Sequence, residues 1–311
     1  MEQLTVSAAP HIRSQDNTQT IMFDVIIALI PAIAAGIYFF GYRAMAVLTV
    51  AILSSLLFEW LWCKITKTTN TLRDLSAVVS SIILAMTLPV TVPLWIPAVG
   101  SFFMIIVVKM CFGGLGQNIV NPAAAARIFL AVSFPAIMSR WVTPFTRLAL
   151  FQNPDIITAN TPLEMARHGA VQIPSNMSLY LGNVTGAIGE TSVIAILIGL
   201  LYLLWRKVIK LETTVSCLTA AAVLAMILGV PPVFHLLVGG LLFGAVFMAT
   251  DYATSPITAR GRIIYGAGIG IFVIIIRLFG DYYAESVFLA IILMNLLVPF
   301  IDKIKGRRII V

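Results

Sequence analysis

Thr87-Leu-Pro-Val-Thr-Val-Pro93 ends one apolar run of this chain, and Thr250-Asp-Tyr-Ala-Thr-Ser-Pro256 ends another. Both stretches put threonine and proline where a long apolar helix would otherwise continue, and proline removes a helical N–H and clashes with the preceding turn. A broken helix bares backbone N–H and C=O groups. A bilayer tolerates these only where they line a cavity inside the protein. The continuations match as well. A further apolar segment runs to Lys109 in the first case and to Arg277 in the second, and each cation is followed by Phe-Gly (Phe112-Gly113, Phe279-Gly280).

The composition supports a membrane setting. Of 311 residues, 60% are hydrophobic and only 11% charged, against roughly a quarter charged in a soluble domain. The first twenty residues are mixed and polar, and no cleavable leader is expected among them. Ten apolar segments follow, at 21–40, 44–63, 76–92, 94–111, 121–138, 191–205, 213–230, 236–250, 263–279 and 286–301, set against the roughly 20 residues a straight span needs. Five spans per half is an odd number, so two halves carrying one break each would face opposite ways. That is the sequence mark of an inverted repeat with broken helices meeting near the midplane; two unrelated proline kinks are the plainer alternative. The expected fold is an all-α polytopic membrane protein of about ten transmembrane helices in a 5+5 inverted repeat with two broken helices.

Charge sets the orientation. With the N-terminus inside, fifteen Lys and Arg residues fall on the inner side and five (Arg43, Arg140, Arg147, Arg167, Arg277) on the outer side, as the positive-inside rule requires. The chain then divides into a cytoplasmic segment 1–20, a first five-helix repeat 21–138, an extracytoplasmic loop 139–190 with short helices, a second repeat 191–301 and a cytoplasmic tail 302–311. The net charge of +7 does not indicate nucleic acid, because the basic residues lie at the ends of apolar runs rather than in a groove-sized patch. Cys63, Cys111 and Cys217 are scattered, with no Cys-x-x-Cys for an iron–sulfur cluster. His11, His168 and His235 do not suggest a bis-histidine haem. No Gly-x-Gly-x-x-Gly follows a strand, so nicotinamide chemistry would belong to partners. If the chain carries electrons, flavin is the carrier left.

Three places hold candidate chemistry. Gly113-Gly-Leu-Gly-Gln-Asn118-Ile-Val-Asn121-Pro-Ala-Ala-Ala-Ala-Arg127 opens the fifth segment. Asn121-Pro122 reads as an N-cap with proline at the first helical position, a capped helix start being the plain reading, and a small-residue polar pocket there suits a flat ligand. Buried acids are costly in lipid and are functional candidates by default. Among Asp24, Glu59, Glu190, Asp251 and Asp281, Asp251 inside a break and Glu190 beside Gly189 rank first as cation contacts, while Glu59 is expected to snorkel at an inner helix end. Thr161-Pro-Leu-Glu164 in the outer loop reads on its own as a capping box; its hydroxyl is also a possible point of covalent attachment.

Taken together, Gly113–Ala124, Thr161-Pro-Leu-Glu, Leu181-Gly-Asn-Val-Thr-Gly-Ala-Ile-Gly-Glu-Thr191, Asp251-Tyr-Ala-Thr-Ser-Pro-Ile-Thr-Ala-Arg-Gly-Arg262 and Leu293-Met-Asn-Leu-Leu-Val-Pro-Phe-Ile-Asp302 resemble the family of Rnf-complex D subunits, membrane components of ion-translocating ferredoxin–NAD oxidoreductases. The family is related to the B subunit of the sodium-pumping NADH–quinone reductase. The resemblance covers nearly the whole chain. It implies an FMN joined by a phosphodiester to Thr161, installed outside the cytoplasm by a flavin transferase. It also implies a non-covalent riboflavin near the inner half of the bundle, placed beside Asn118 and Asn121. The family's usual lead-in to the threonine is Ser/Asp-Gly-Ala; here it reads Thr158-Ala-Asn160. The implied partners are the other Rnf subunits (A, B, C, E and G) and lipid, in a bacterial inner membrane with both termini cytoplasmic. The implied function is electron transfer through the flavins coupled to translocation of Na⁺ or H⁺, with Asp251 and Glu190 on the ion pathway. A passive channel or secondary transporter built on the same repeat is the alternative.

Overall fold

The computed structural model describes residues 17–69, 71–146, 148–149, 159–167 and 174–303. The expected N-terminal segment and tail, and Thr158 of the lead-in, therefore lie wholly or largely outside the described residues.

Among the described residues the chain is all helical. The first half comprises α1 (Thr18–Phe40), α2 (Tyr42–Thr66), α3 (Ser76–Thr87), α4 (Trp95–Phe102), α5 (Pro122–Ser133) and α6 (Pro135–Met138). Two short helices follow in the loop, α7 (Pro162–Arg167) and α8 (Asn176–Leu181). The second half comprises α9 (Val193–Trp205), α10 (Leu211–Ile227), α11 (Pro232–Leu237), α12 (Leu241–Phe243), α13 (Ala259–Phe279) and α14 (Ser286–Lys303). The α4 helix continues through a π-helical stretch, Phe103–Lys109, and α12 through another, Gly244–Met248. Five helical stretches are long and apolar enough to cross a membrane: Thr18–Phe40, Tyr42–Thr66, Trp95–Phe112, Ala259–Phe279 and Tyr283–Lys303. Four shorter apolar helices, α3, α5, α9 and α10, pack among them. The protein is a multi-pass membrane protein.

Helices approach closely where glycine removes the side chain. A Cβ on Gly199 of α9 would collide with the Ala28 carbonyl oxygen of α1. On α13, a Cβ at Gly266 or Gly270 would collide with the Thr213 or Cys217 carbonyl oxygen of α10. Small residues at such contacts let backbones meet, the main source of helix association in lipid. The α5 and α14 helices also pack together, tied by Asn295, whose Oδ1 accepts the Asn121 N–H at 3.0 Å.

Both expected breaks are present. The α3 helix ends at Thr87, and the stretch 249–258 separates Met248 from α13. The eighth expected segment differs: 236–250 is not one helix. Gly239 and Gly240, at φ +65° and +67°, turn the chain between α11 and α12, a left-handed conformation that glycine adopts without a side-chain clash. The fifth segment also bends, at Phe134-Pro135 between α5 and α6.

The bared carbonyls are satisfied from a distance. At the first break the Ile188 N–H donates to the Leu88 carbonyl (3.2 Å) and the Gly189 N–H to the Met86 carbonyl (2.8 Å). Buried Arg43 of α2 donates to the carbonyls of Thr91 (3.1 Å), Val92 (3.5 Å) and Ala149 (2.7 Å). At the turn before α12, buried Arg277 of α13 donates to the carbonyls of His235 (2.5 Å), Val238 (2.8 Å) and Gly239 (3.0 Å).

The α10–α13 seam gives a direct check. Gly270→Val forces a branched side chain into the Cys217 backbone, and the expected cost is about 3 kcal/mol, the upper end of overpacking. Thermal unfolding in detergent should show a clearly lowered midpoint, and an unchanged midpoint would mean that the helices are not in contact there.

Candidate functional site

Two cavities, one at the start of α5 and one at its middle, collect the candidate residues. The first is walled by the start of α1, the start of α3, the end of α9 and the stretch around Asp251. Asn118, Asn121 and Asp251 all border it. Three left-handed glycines, Gly113, Gly114 and Gly116, bring Asn118 round to this position. Asn118 is buried, and its Oδ1 has no hydrogen-bond partner. A buried amide oxygen left unpaired costs about 1–3 kcal/mol, so this atom is suited to a ligand donor. Asn121 is committed to the fold instead. Its Oδ1 accepts the Ala124 N–H (3.1 Å), capping α5, and its Nδ2 donates to the Met248 carbonyl (3.2 Å). Asp251 is held by its own turn, its carboxylate accepting from the Ala253 N–H (3.4 Å) and the Thr254 hydroxyl (3.2 Å).

A buried ion pair forms part of the same wall. Lys109 Nζ donates to Glu59 Oε1 (2.8 Å) and to the Ser76 hydroxyl (2.7 Å), with both charged side chains at most 2% exposed. The Thr71 hydroxyl donates to the same carboxylate oxygen (2.5 Å). Glu59 therefore does not snorkel. It is fully buried because Lys109, fifty residues on, supplies its counter-charge.

The second cavity is bordered by Thr161, Glu190 and Arg127. The expected capping box is present at Thr161. The Glu164 N–H donates to Thr161 Oγ1 (3.2 Å), and the Thr161 N–H donates to Glu164 Oε2 (2.8 Å). The α7 helix is fixed to the bundle by Arg167, which donates to the Gly280 carbonyl (2.5 Å) and stacks over Tyr283. The Tyr283 hydroxyl donates to Glu164 Oε1 (3.3 Å). Behind Thr161, the Ala159 N–H donates to the carbonyl of Trp141, whose side chain walls the cavity.

The far side of this cavity is apolar around a polar floor. Trp141, Leu163, Leu179, Val184 and Phe288 border it. The floor holds Arg127, which donates to Glu285 Oε1 at 2.6 Å. Arg127 Nε, Glu190 Oε1 and the Thr191 hydroxyl are buried without a hydrogen-bond partner. Glu190 lies over the backbone at Gly240, where a Cβ would sit 2.5 Å from its carboxyl group. The charges of Arg127, Arg277 and Glu285 all act on it. Asn121 and Arg127 are separated by roughly 9 Å of helix rise, so one helix connects the two cavities. Glu190 and Asp251 are not brought together; each serves its own cavity.

Sequence reading missed Glu285, the Arg127–Glu285 pair and Arg127 as a site residue. Arg127 was assigned to an inner loop, yet it is 2% exposed inside the bundle. Lys109, Arg43 and Arg277 are likewise buried. Setting these four aside leaves thirteen of the cations expected inside and three of those expected outside.

Comparison with known proteins matches residues 5–310 to the model of the NQR2, RnfD, RnfE family. The chain is 44% identical to the D subunit of the Na⁺-translocating ferredoxin:NAD⁺ oxidoreductase complex of Acetobacterium woodii, over 98% of this chain and 95% of the relative. It is 36% identical to the D subunit of the proton-translocating ferredoxin:NAD⁺ oxidoreductase complex of Clostridium ljungdahlii, over 96% and 93%. It is 30% identical to the D subunit of an ion-translocating oxidoreductase complex of Actinobacillus succinogenes, over 98% and 97%.

The Lys109–Glu59 pair supplies the prediction here. Lys109→Met strands a buried carboxylate and is expected to cost about 3–5 kcal/mol, read by thermal unfolding in detergent. Adding Glu59→Leu removes the stranded charge and should recover most of the loss. A double variant no more stable than the single one would mean that the two side chains are not paired.

Proposed function

The chain belongs to the NQR2, RnfD, RnfE family, and we propose that it is the flavin-carrying membrane subunit of an Rnf-type ion-translocating ferredoxin:NAD⁺ oxidoreductase complex. In this reading it works only within the complex. FMN is esterified to Thr161 by a flavin transferase, and a riboflavin lies in the cavity beside Asn118. The A, B, C, E and G subunits supply the remaining electron carriers and the NAD⁺ and ferredoxin sites. The single observation that carries the reading is the position of the Thr161 hydroxyl. It borders a largely apolar cavity beside which three buried polar atoms have no protein partner.

The residues suit such a group. Esterification leaves Thr161 Oγ1 beside the Glu164 N–H and keeps the capping box as the anchor that fixes the attachment point. Trp141, Leu163 and Phe288 offer apolar faces to a flat ring system and exclude water from its surroundings. The unpartnered Arg127 Nε and Thr191 hydroxyl offer hydrogen bonds to ring heteroatoms. Just before the start of α5, Asn118 Oδ1 does the same for the second flavin. A bound flavin supplies reversible electron transfer.

The coupling follows from charge. Adding negative charge to a group in a low-dielectric interior is costly unless a cation compensates it. Arg127 provides a fixed positive charge, already shared with Glu285. Glu190, with an unpartnered oxygen in the same cavity, is placed to hold a mobile cation, Na⁺ or H⁺. Asp251 occupies the corresponding position beside the first cavity.

An inverted repeat is supported by the pairing of helices. The α1 helix packs on α9 and α5 on α14, so the first and last spans of one half meet their counterparts in the other. Lys109 and Arg277, at the ends of their helices and each followed by Phe-Gly, both reach back to the start of a preceding span: Lys109 to Ser76, Arg277 to Gly239. An inner-membrane location with cytoplasmic termini agrees with the inward bias of basic residues.

Thr161→Ala tests the assignment. The variant should enter the membrane at wild-type abundance but lose all flavin fluorescence from its band in a denaturing gel. Persistent fluorescence in that band would refute attachment at Thr161.

A further inference from the structure

The end of the bundle that carries the Asn118 cavity has a second feature, on the outside. Lys207, Lys210 and Arg262 border a separate cavity between the end of α9, the start of α10 and the start of α13. Lys207 closes α9 in a left-handed conformation (φ +57°), with the Val208 N–H donating to the Leu203 carbonyl (2.9 Å). The chain then runs straight to Lys210, the N-cap of α10, which makes no side-chain cap hydrogen bond. The first turn of this 17-residue helix carries Glu212, whose carboxylate accepts its own backbone N–H. Arg262 faces this turn from α13. It donates to the Ile257 carbonyl (2.6 Å) and to Glu212 Oε1 (3.4 Å), and its Nε is buried without a partner. Among the described residues, no carboxylate lies within ion-pair distance of Lys207 or Lys210. Three cations thus border the cavity, while Glu212, which is not among its lining residues, pairs with Arg262 through Oε1 and keeps Oε2 without a partner.

An apolar groove continues from this cavity. Thr213 of α10 borders the cavity, and Ser216, Ala220 and Val223 carry the same helix face onward at three- and four-residue steps. On α13, Ile263, next to Arg262 in sequence, begins a row with Ala267 and Ile271 at four-residue steps. The groove between these two rows is almost entirely apolar and open on the lipid side. Trp205 and Ile257, 75% and 84% exposed, flank the basic end, where amphipathic and apolar side chains meet the headgroup layer.

We propose that Lys207, Lys210 and Arg262 bind the phosphate of an anionic phospholipid whose acyl chain lies in the groove between α10 and α13. Charge selects the headgroup, since basic pockets between transmembrane helices recognise anionic lipids. Continuity of the basic cavity with the apolar groove selects a lipid over a soluble anion. A helix from another subunit would fill the groove but leave Lys207 and Lys210 without counter-charge.

Native mass spectrometry of the full chain, purified in its complex and exchanged into micelles of equimolar phosphatidylglycerol and phosphatidylcholine, tests this. The chain should retain phosphatidylglycerol in preference to phosphatidylcholine. Lys207→Gln with Lys210→Gln should weaken that retention about 30-fold, the effect of two basic side chains at an anionic lipid. Ala220→Phe, which fills the groove and leaves the cations in place, should also weaken it, whereas Lys64→Gln with Lys67→Gln should not. Equal retention of the two lipids, or equal losses in both lysine pairs, would overturn the proposal in favour of general surface charge. Displacement of the adduct by inorganic phosphate, with no effect of Ala220→Phe, would overturn it in favour of a small-anion site.

Discussion

The constraint on which the rest of this structure depends is the need to satisfy backbone polar groups where helices break inside a bilayer. At the α3 break the chain uses two devices: the guanidinium of Arg43, and the amides of Ile188 and Gly189 donated by a loop from the middle of the sequence. The second device has a consequence. Because that loop must dock against α3, the residue after it, Glu190, is carried into the interior and set over the Gly240 backbone. The cavity beside Thr161 is thus partly a product of how the break is capped. At the turn before α12, Arg277 binds three carbonyls at once and holds open the other wall of the same cavity.

Buried charge then follows a simple division. Arg43 and Arg277 are spent on carbonyls, and Lys109 and Arg127 on single carboxylates, Glu59 and Glu285. In each of the two ion pairs one carboxylate oxygen is left without a partner, Glu59 Oε2 and Glu285 Oε2. Buried pairs contribute little net stability, since desolvation offsets their attraction. They do fix positive groups beside two cavities joined by α5, and this is the electrostatic setting an electron-accepting group needs in a low-dielectric slab.

Much of this was legible in the sequence where the signal is local. The capping box at Thr161 and Glu164, the Asn121-Pro122 helix start and both Thr/Pro breaks are determined by residues within one turn of each other, and the structure contains all of them. Asn118, placed beside a riboflavin by the family resemblance, borders a cavity. The misses share a different cause. Arg127 and Glu285 are 158 positions apart, and Lys109 and Glu59 are 50 apart; a sequence does not disclose which buried acid will meet which base. Glu59 therefore read as a snorkelling residue and Arg127 as a loop cation. The Gly239-Gly240 turn was missed because hydropathy continues through it, although paired glycines inside an expected span were an available cue.

The account's central claim is that the Thr161 hydroxyl is the point at which this chain holds a cofactor in its outer cavity. The most direct measurement is mass spectrometry of the tryptic peptide 148–167 from the complex purified from native membranes, with fragmentation to locate any modification. The account predicts a mass increase equal to FMN less one water, carried by Thr161. An unmodified peptide, or the same increase carried by Thr158, would contradict it.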